Sequence, residues 1–131
     1  MDIGEPIWRE LPEPRAPSDG ERGLLSRLGS AVDEPLLHAQ VVTATVTAVC
    51  RCGCPSVRLG SDRPPVPEAR VVELSGRGRP DWFRVSAGAP AGVQVVLHVA
   101  HGRLLELEVF AGEGVAVPLP HARDLTDVDV S

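Results

Sequence analysis

The chain has 131 residues, 43% of them hydrophobic, and a formal net charge of −5. That length fits one domain able to bury roughly two thirds of its unfolded surface, so no disulfide scaffold is needed. The acidic balance argues against a general nucleic-acid binder, and no run approaches the ~18 apolar residues of a membrane span.

Residues 1–17 combine four prolines with several charges, which predicts an extended or disordered arm. Ile7, Trp8 and Leu11 are its anchors onto the body or onto a partner. Ser18 followed by Glu21 has the capping-box spacing. Leu24, Leu25, Leu28 and Val32 then recur at helical spacing, predicting a helix over 19–29. Asp33 and Glu34-Pro35 mark a second, short helix over 34–40. His38 reads as a partly exposed histidine at its end.

Residues 41–52, VVTATVTAVCRC, alternate in steps of two and predict a long strand. Its even positions, Val42, Ala44, Val46, Ala48, Cys50 and Cys52, form a small apolar face set on the core. Cys54 continues that series at the bend. Gly53 and Pro55 end or turn the strand, and a short strand follows at 56–59. Residues 60–69 read as loop, 71–74 as a short strand, and 76–80 as a turn-rich break. DWFRVS, 81–86, reads as a strand with Trp82 and Arg84 on one face and Phe83 and Val85 on the other. GAPAG, 88–92, is the next turn.

Residues 93–110 form the clearest hairpin. A three-residue loop, Ala100-His101-Gly102, pairs Leu97 with Leu105, Val95 with Leu107 and Val93 with Val109, with positive φ at Gly102. His98 then opposes Leu104 on the outer face and lies diagonal to Glu106. Residues 111–120 add a short edge strand, and the acidic tail 121–131 is expected to fray. The fold class is therefore α+β. An antiparallel sheet of about five strands carries one or two N-terminal helices on one face, in a single domain over 18–120.

The three cysteines, Cys50, Cys52 and Cys54, have two readings. They continue the apolar face as small hydrophobes, or they form a thiolate cluster for zinc or copper(I). Alternate residues of a strand stand about 6.6 Å apart at Cα, which is wide for one metal unless Gly53–Pro55 curls the chain back. A fourth ligand would come from His38, His98, His101 or His121. An odd cysteine count argues for a reducing compartment. The opening MDIGEP lacks the basic and apolar regions of a signal peptide, so a cytoplasmic location is expected.

CRCGCPSVRL, followed later by VQVVLHVAHGRLLELEVF, resembles a group of small actinobacterial proteins that carry a Cys-x-Cys-Gly-Cys-Pro-Ser segment. The resemblance spans roughly residues 20–120 and makes Cys50, Cys52, Cys54, Pro55 and Ser56 the family-like positions. It implies no activity, cofactor or substrate. An all-arginine basic set rich in Ala, Gly and Pro neighbours agrees with a GC-rich genome.

The chain contains no Walker loop, GxGxxG, HExxH or GxSxG. The first functional expectation is thus a non-catalytic binding or interaction domain with no cofactor, meeting a protein partner or a second copy through Trp8, Trp82 and Arg84. The alternative is a metal-binding or thiol-redox protein using Cys50, Cys52 and Cys54. In that reading the alternation makes Cys50 the most buried thiol and Cys54 the reactive one. An enzyme with Cys54 or Ser56 as nucleophile and His38, His98 or His101 as base ranks third. Base stacking by Arg77, Arg79, Trp82 and Arg84 ranks below it. No membrane partner is expected.

Overall fold

The computed structural model describes residues 7–112 and 117–131. The first helix, α1 (Asp19–Gly29), starts where the capping box places it. The Glu21 N–H donates to Ser18 Oγ at 3.2 Å, and the Ser18 N–H donates to Glu21 Oε1 at 2.8 Å. Arg15 clamps the same carboxylate through both oxygens, at 2.8 and 3.1 Å. Leu24, Leu25 and Leu28 are fully buried on its inner face, each contributing about 1.5–3 kcal/mol. The second helix, α2 (Pro35–Val42), runs two residues past the expected end and takes Val41 and Val42 from the predicted strand. Thr43 Oγ1 donates to the Ala39 carbonyl at 2.9 Å and closes its last turn. Val42 consequently lies 78% exposed.

The sheet has seven strands: β1 (Trp8–Arg15), β2 (Thr45–Cys50), β3 (Val57–Gly60), β4 (Trp82–Ala89), β5 (Val93–Ala100), β6 (Arg103–Phe110) and β7 (Thr126–Val130). Their order is β1-β2-β3-β6-β5-β4-β7, with every neighbour antiparallel. The α+β class is as read from the sequence, but the count is seven strands rather than about five. The proline-rich arm forms one edge strand, where its missing N–H groups cost least. The tail expected to fray is the other edge. Leu125 anchors it at 5% exposure, and Ser131 and Arg84 exchange backbone bonds at 2.8 and 2.9 Å. The predicted edge strand at 111–120 falls partly on residues 113–116, outside the described residues; the described part forms no strand.

Residues 68–74, expected to end in a strand, form a third helix, α3 (Glu68–Leu74). Val71 donates to the Pro67 carbonyl at 3.0 Å and buries its side chain. A four-residue run, Val71-Val72-Glu73-Leu74, is too short for periodicity to separate helix from strand. The buried side chains of the three helices join Val46, Val57, Leu59, Phe83, Val85, Leu97, Leu107 and Val109 in one core on one side of the sheet. As expected, Phe83 and Val85 face that core while Trp82 and Arg84 face away.

Two β-bulges decide what reaches the other face. In β2 the pairing steps from Val46↔Leu59 to Ala48↔Arg58, so Thr47 is the extra residue. Parity inverts there. Ala48 is fully buried yet outside the helix-side core, and Cys50 sits opposite Trp8. In the hairpin, the turn is the two-residue His101-Gly102, with φ of 52° and 76°. Positive φ at Gly102 is as expected; the three-residue loop is not. A bulge at Leu105 restores the apolar match, pairing Leu97 with Leu107 and Val95 with Val109, and turns Leu104 into the core. His98 therefore opposes Glu106 directly, not Leu104.

Gln40 locks this arrangement and was not singled out by the sequence. Its fully buried amide donates to the carbonyls of Gly102 at 2.8 Å and Pro64 at 3.1 Å. Its Oε1 accepts from the Leu104 N–H at 3.0 Å.

Candidate functional site

The three thiols converge. β2 ends at Cys50, the Gly53 N–H donates back to the Cys50 carbonyl at 3.2 Å, and Gly53 takes φ of +86°. That left-handed residue curls the chain as the sequence reading required. The Cys50, Cys52 and Cys54 sulfurs all lie within 4.8 Å of one another. Sulfurs bound to one ion at about 2.3 Å stand roughly 3.8–4.0 Å apart, so rotamer changes alone can close such a site. Ser56 pins the far end of the turn. It is buried, and its Oγ donates to the Val109 carbonyl at 3.3 Å and accepts from the Val109 N–H at 2.9 Å. Both bonds tie Ser56 to the β6 backbone.

The cysteines do not continue the core face. Cys50 and Cys54 are half-buried and Cys52 is exposed, because the Thr47 bulge carries β2 onto the open face before the thiols begin. Reactivity therefore moves from Cys54 to Cys52. The sulfurs of Cys50 and Cys52 are 2.8 Å apart, and the Cys54 N–H donates to Cys52 Sγ at 3.3 Å. Burial first, and then its hydrogen bond to Cys52, push the Cys50 thiol up to about 12. The Cys52 thiol is held below its ordinary range by the Cys50 hydrogen bond first and the Cys54 N–H second. Cys52 is therefore the more readily ionised of the pair and Cys50 the less.

No histidine joins this group among the described residues. His38 Nε2 lies 2.6 Å from the Val32 carbonyl oxygen on α2. His101 sits in the hairpin turn, and His121 is exposed ahead of a short helical turn before β7. His98 is on the open face, where Trp82 stacks on it with centroids 5.7 Å apart and Glu108 Oε1 lies 2.9 Å from Nε2.

The residues expected to meet a partner divide. Trp8 lies under the Arg58 guanidinium, 4.9 Å from its ring. Trp82 carries Arg79 at 5.1 Å and Arg84 at 5.6 Å. Both tryptophans face the open side, but five strand spacings separate β1 from β4, about 24 Å at ~4.8 Å each. They do not form one patch. Arg77, Arg79, Trp82 and Arg84 line a cavity of 350 Å³ with Ser75 and Ser131. Arg79 is held there by both oxygens of Asp81, at 3.0 and 2.9 Å. Among the described residues, no helix is long and apolar enough to cross a membrane.

Comparison with protein-family models, curated proteins and solved structures finds no match.

Proposed function

We propose that this is a small non-catalytic metal-binding domain whose Cys50, Cys52 and Cys54 turn holds a soft ion, copper(I) or zinc. One observation carries the reading: three sulfurs within 4.8 Å of one another on an accessible turn. Thiolate donors select soft ions. Three thiolates with no fourth ligand among the described residues suit a trigonal copper(I), or a zinc ion that keeps one position for an outside ligand. Cys52, the thiolate favoured in the free protein, is the first ligand. Cys50 loses its proton on metal binding, so affinity rises with pH. A reducing setting would keep the three thiols available as ligands. A protein that delivers or removes the ion would approach across the open face, past Trp8.

The 2.8 Å approach of Cys50 and Cys52 favours a second reading as a thiol-redox pair. The Cys52 thiolate would attack an external disulfide such as oxidised glutathione, and Cys50 would then displace the bound thiol. Two thiols become one disulfide as the external disulfide becomes two thiols.

Native mass spectrometry with elemental analysis separates the readings, using protein purified anaerobically without a metal-affinity tag. One copper or zinc per chain, lost in Cys52→Ser, supports the metal site. A metal-free chain lighter by two hydrogens after glutathione disulfide supports the redox pair. A metal-free chain that stays fully reduced removes both.

A further inference from the structure

A second group of ligand-type side chains stands near the middle of the open face. The Leu105 bulge sets His98 opposite Glu106, and Glu108 follows on the same side of β6. One ligand atom from each lies within 4.8 Å of the others, and all three residues are half-buried. His98 Nε2 and Glu108 Oε1 are already 2.9 Å apart. Adjacent ligands bonded to one tetrahedral ion at about 2.1 Å stand roughly 3.4 Å apart, so the pair needs to open by only about half an ångström. The stacked Trp82 ring, tilted only 12° from the imidazole, holds that plane.

Glu106 lacks what its neighbours have. Its carboxylate makes no hydrogen bond or ion pair among the described residues. Arg58 is directly opposite across β3 and β6, yet its guanidinium lies over Trp8 and its buried Nε has no partner.

We propose that His98, Glu106 and Glu108 bind a borderline divalent ion such as zinc, as three ligands on one side of the metal with the outer positions left to solvent. Arg58 and Arg84 flank the group and match its two carboxylates in formal charge. Hard cations drawn by charge alone therefore gain little here, whereas the imidazole nitrogen favours first-row transition ions. The donor set is nitrogen and oxygen, distinct from the soft thiolates at the end of β2.

The test uses the full chain carrying Cys50→Ser, Cys52→Ser and Cys54→Ser, so that it does not depend on the thiol turn. Titration with cobalt(II) is expected to give d–d absorption without thiolate charge transfer, and zinc(II) is expected to displace it at one equivalent. In that background, Glu106→Gln and His98→Ala each weaken zinc binding by about tenfold or more, while His121→Ala leaves it unchanged. Glu106→Gln is near-isosteric, and circular dichroism checks that its fold is kept. The imidazole ¹⁵N shift of His98 on zinc addition gives an independent reading. No cobalt or zinc binding by the thiol-free chain overturns the proposal, as does a Glu106→Gln variant that binds as tightly as its parent.

Discussion

Replacing Gln40 with leucine tests how the hairpin register is held. The two side chains have similar volume, so the change removes polar contacts and leaves little void. It strands the buried Leu104 N–H and releases the Pro64 carbonyl, while the Gly102 carbonyl keeps the Val66 N–H at 2.9 Å. A buried group left unpaired costs about 1–3 kcal/mol. The Leu104 N–H, with a smaller contribution from Pro64, gives roughly 2–3 kcal/mol. That is a large share of a total stability on the order of 5–15 kcal/mol. Urea unfolding followed by circular dichroism reads the loss directly, and the melting point should fall by about 5–15 °C. Because the same bonds fix the Leu105 bulge, the His98 and Glu106 amide resonances should shift at temperatures where the variant is still folded. A loss below about 1 kcal/mol would refute the reasoning, since water would then satisfy the Leu104 N–H as well as Gln40 does.

Three further outcomes follow from the same geometry. Mild alkylation should modify Cys52 first and Cys50 last, as read by peptide mass spectrometry. The pH midpoint for Cys52 should fall below the ordinary thiol range, because thiolate rather than thiol reacts. Gly53→Val should strain the turn by about 1–2 kcal/mol and weaken soft-metal binding about tenfold. The melting point should fall by only about 3–8 °C, because the strain is confined to the backbone and nothing lies within 4 Å of an added Cβ. Burial alone would raise the Glu21 carboxyl, but the Arg15 bonds and the Ser18 N–H outweigh it and hold the group below its ordinary value. A carboxylate lowered by folding stabilises above its unfolded value and loses that contribution as pH falls through the folded one. Glu21→Gln should therefore destabilise at pH 7, with the difference shrinking below about pH 4.

What the sequence shows clearly is local. Ser18 and Glu21 announce α1 because both halves of the capping box lie within one turn of chain. Trp82 through Val85 assign their faces by simple alternation, since β4 runs unbulged against β5. The hidden features depend on chain far away. The bulges at Thr47 and Leu105 arise because strands with slightly mismatched apolar patterns must share one core. No residue type at either position signals it. The Thr47 bulge alone moves the cysteines from the core to the open face, which reverses their expected burial. The tail and the proline-rich arm look too polar to order, yet each needs only one neighbour and one or two apolar anchors to form an edge. Gln40 gives no local sign either, since its three partners lie 24, 62 and 64 residues away.

X-ray absorption at the copper edge, on protein loaded anaerobically with one equivalent of copper(I), tests the central claim most directly. The account predicts about three sulfur neighbours near 2.3 Å and no imidazole scattering, all lost in the Cys52→Ser variant. A coordination shell dominated by nitrogen or oxygen, or one unchanged by Cys52→Ser, would contradict it.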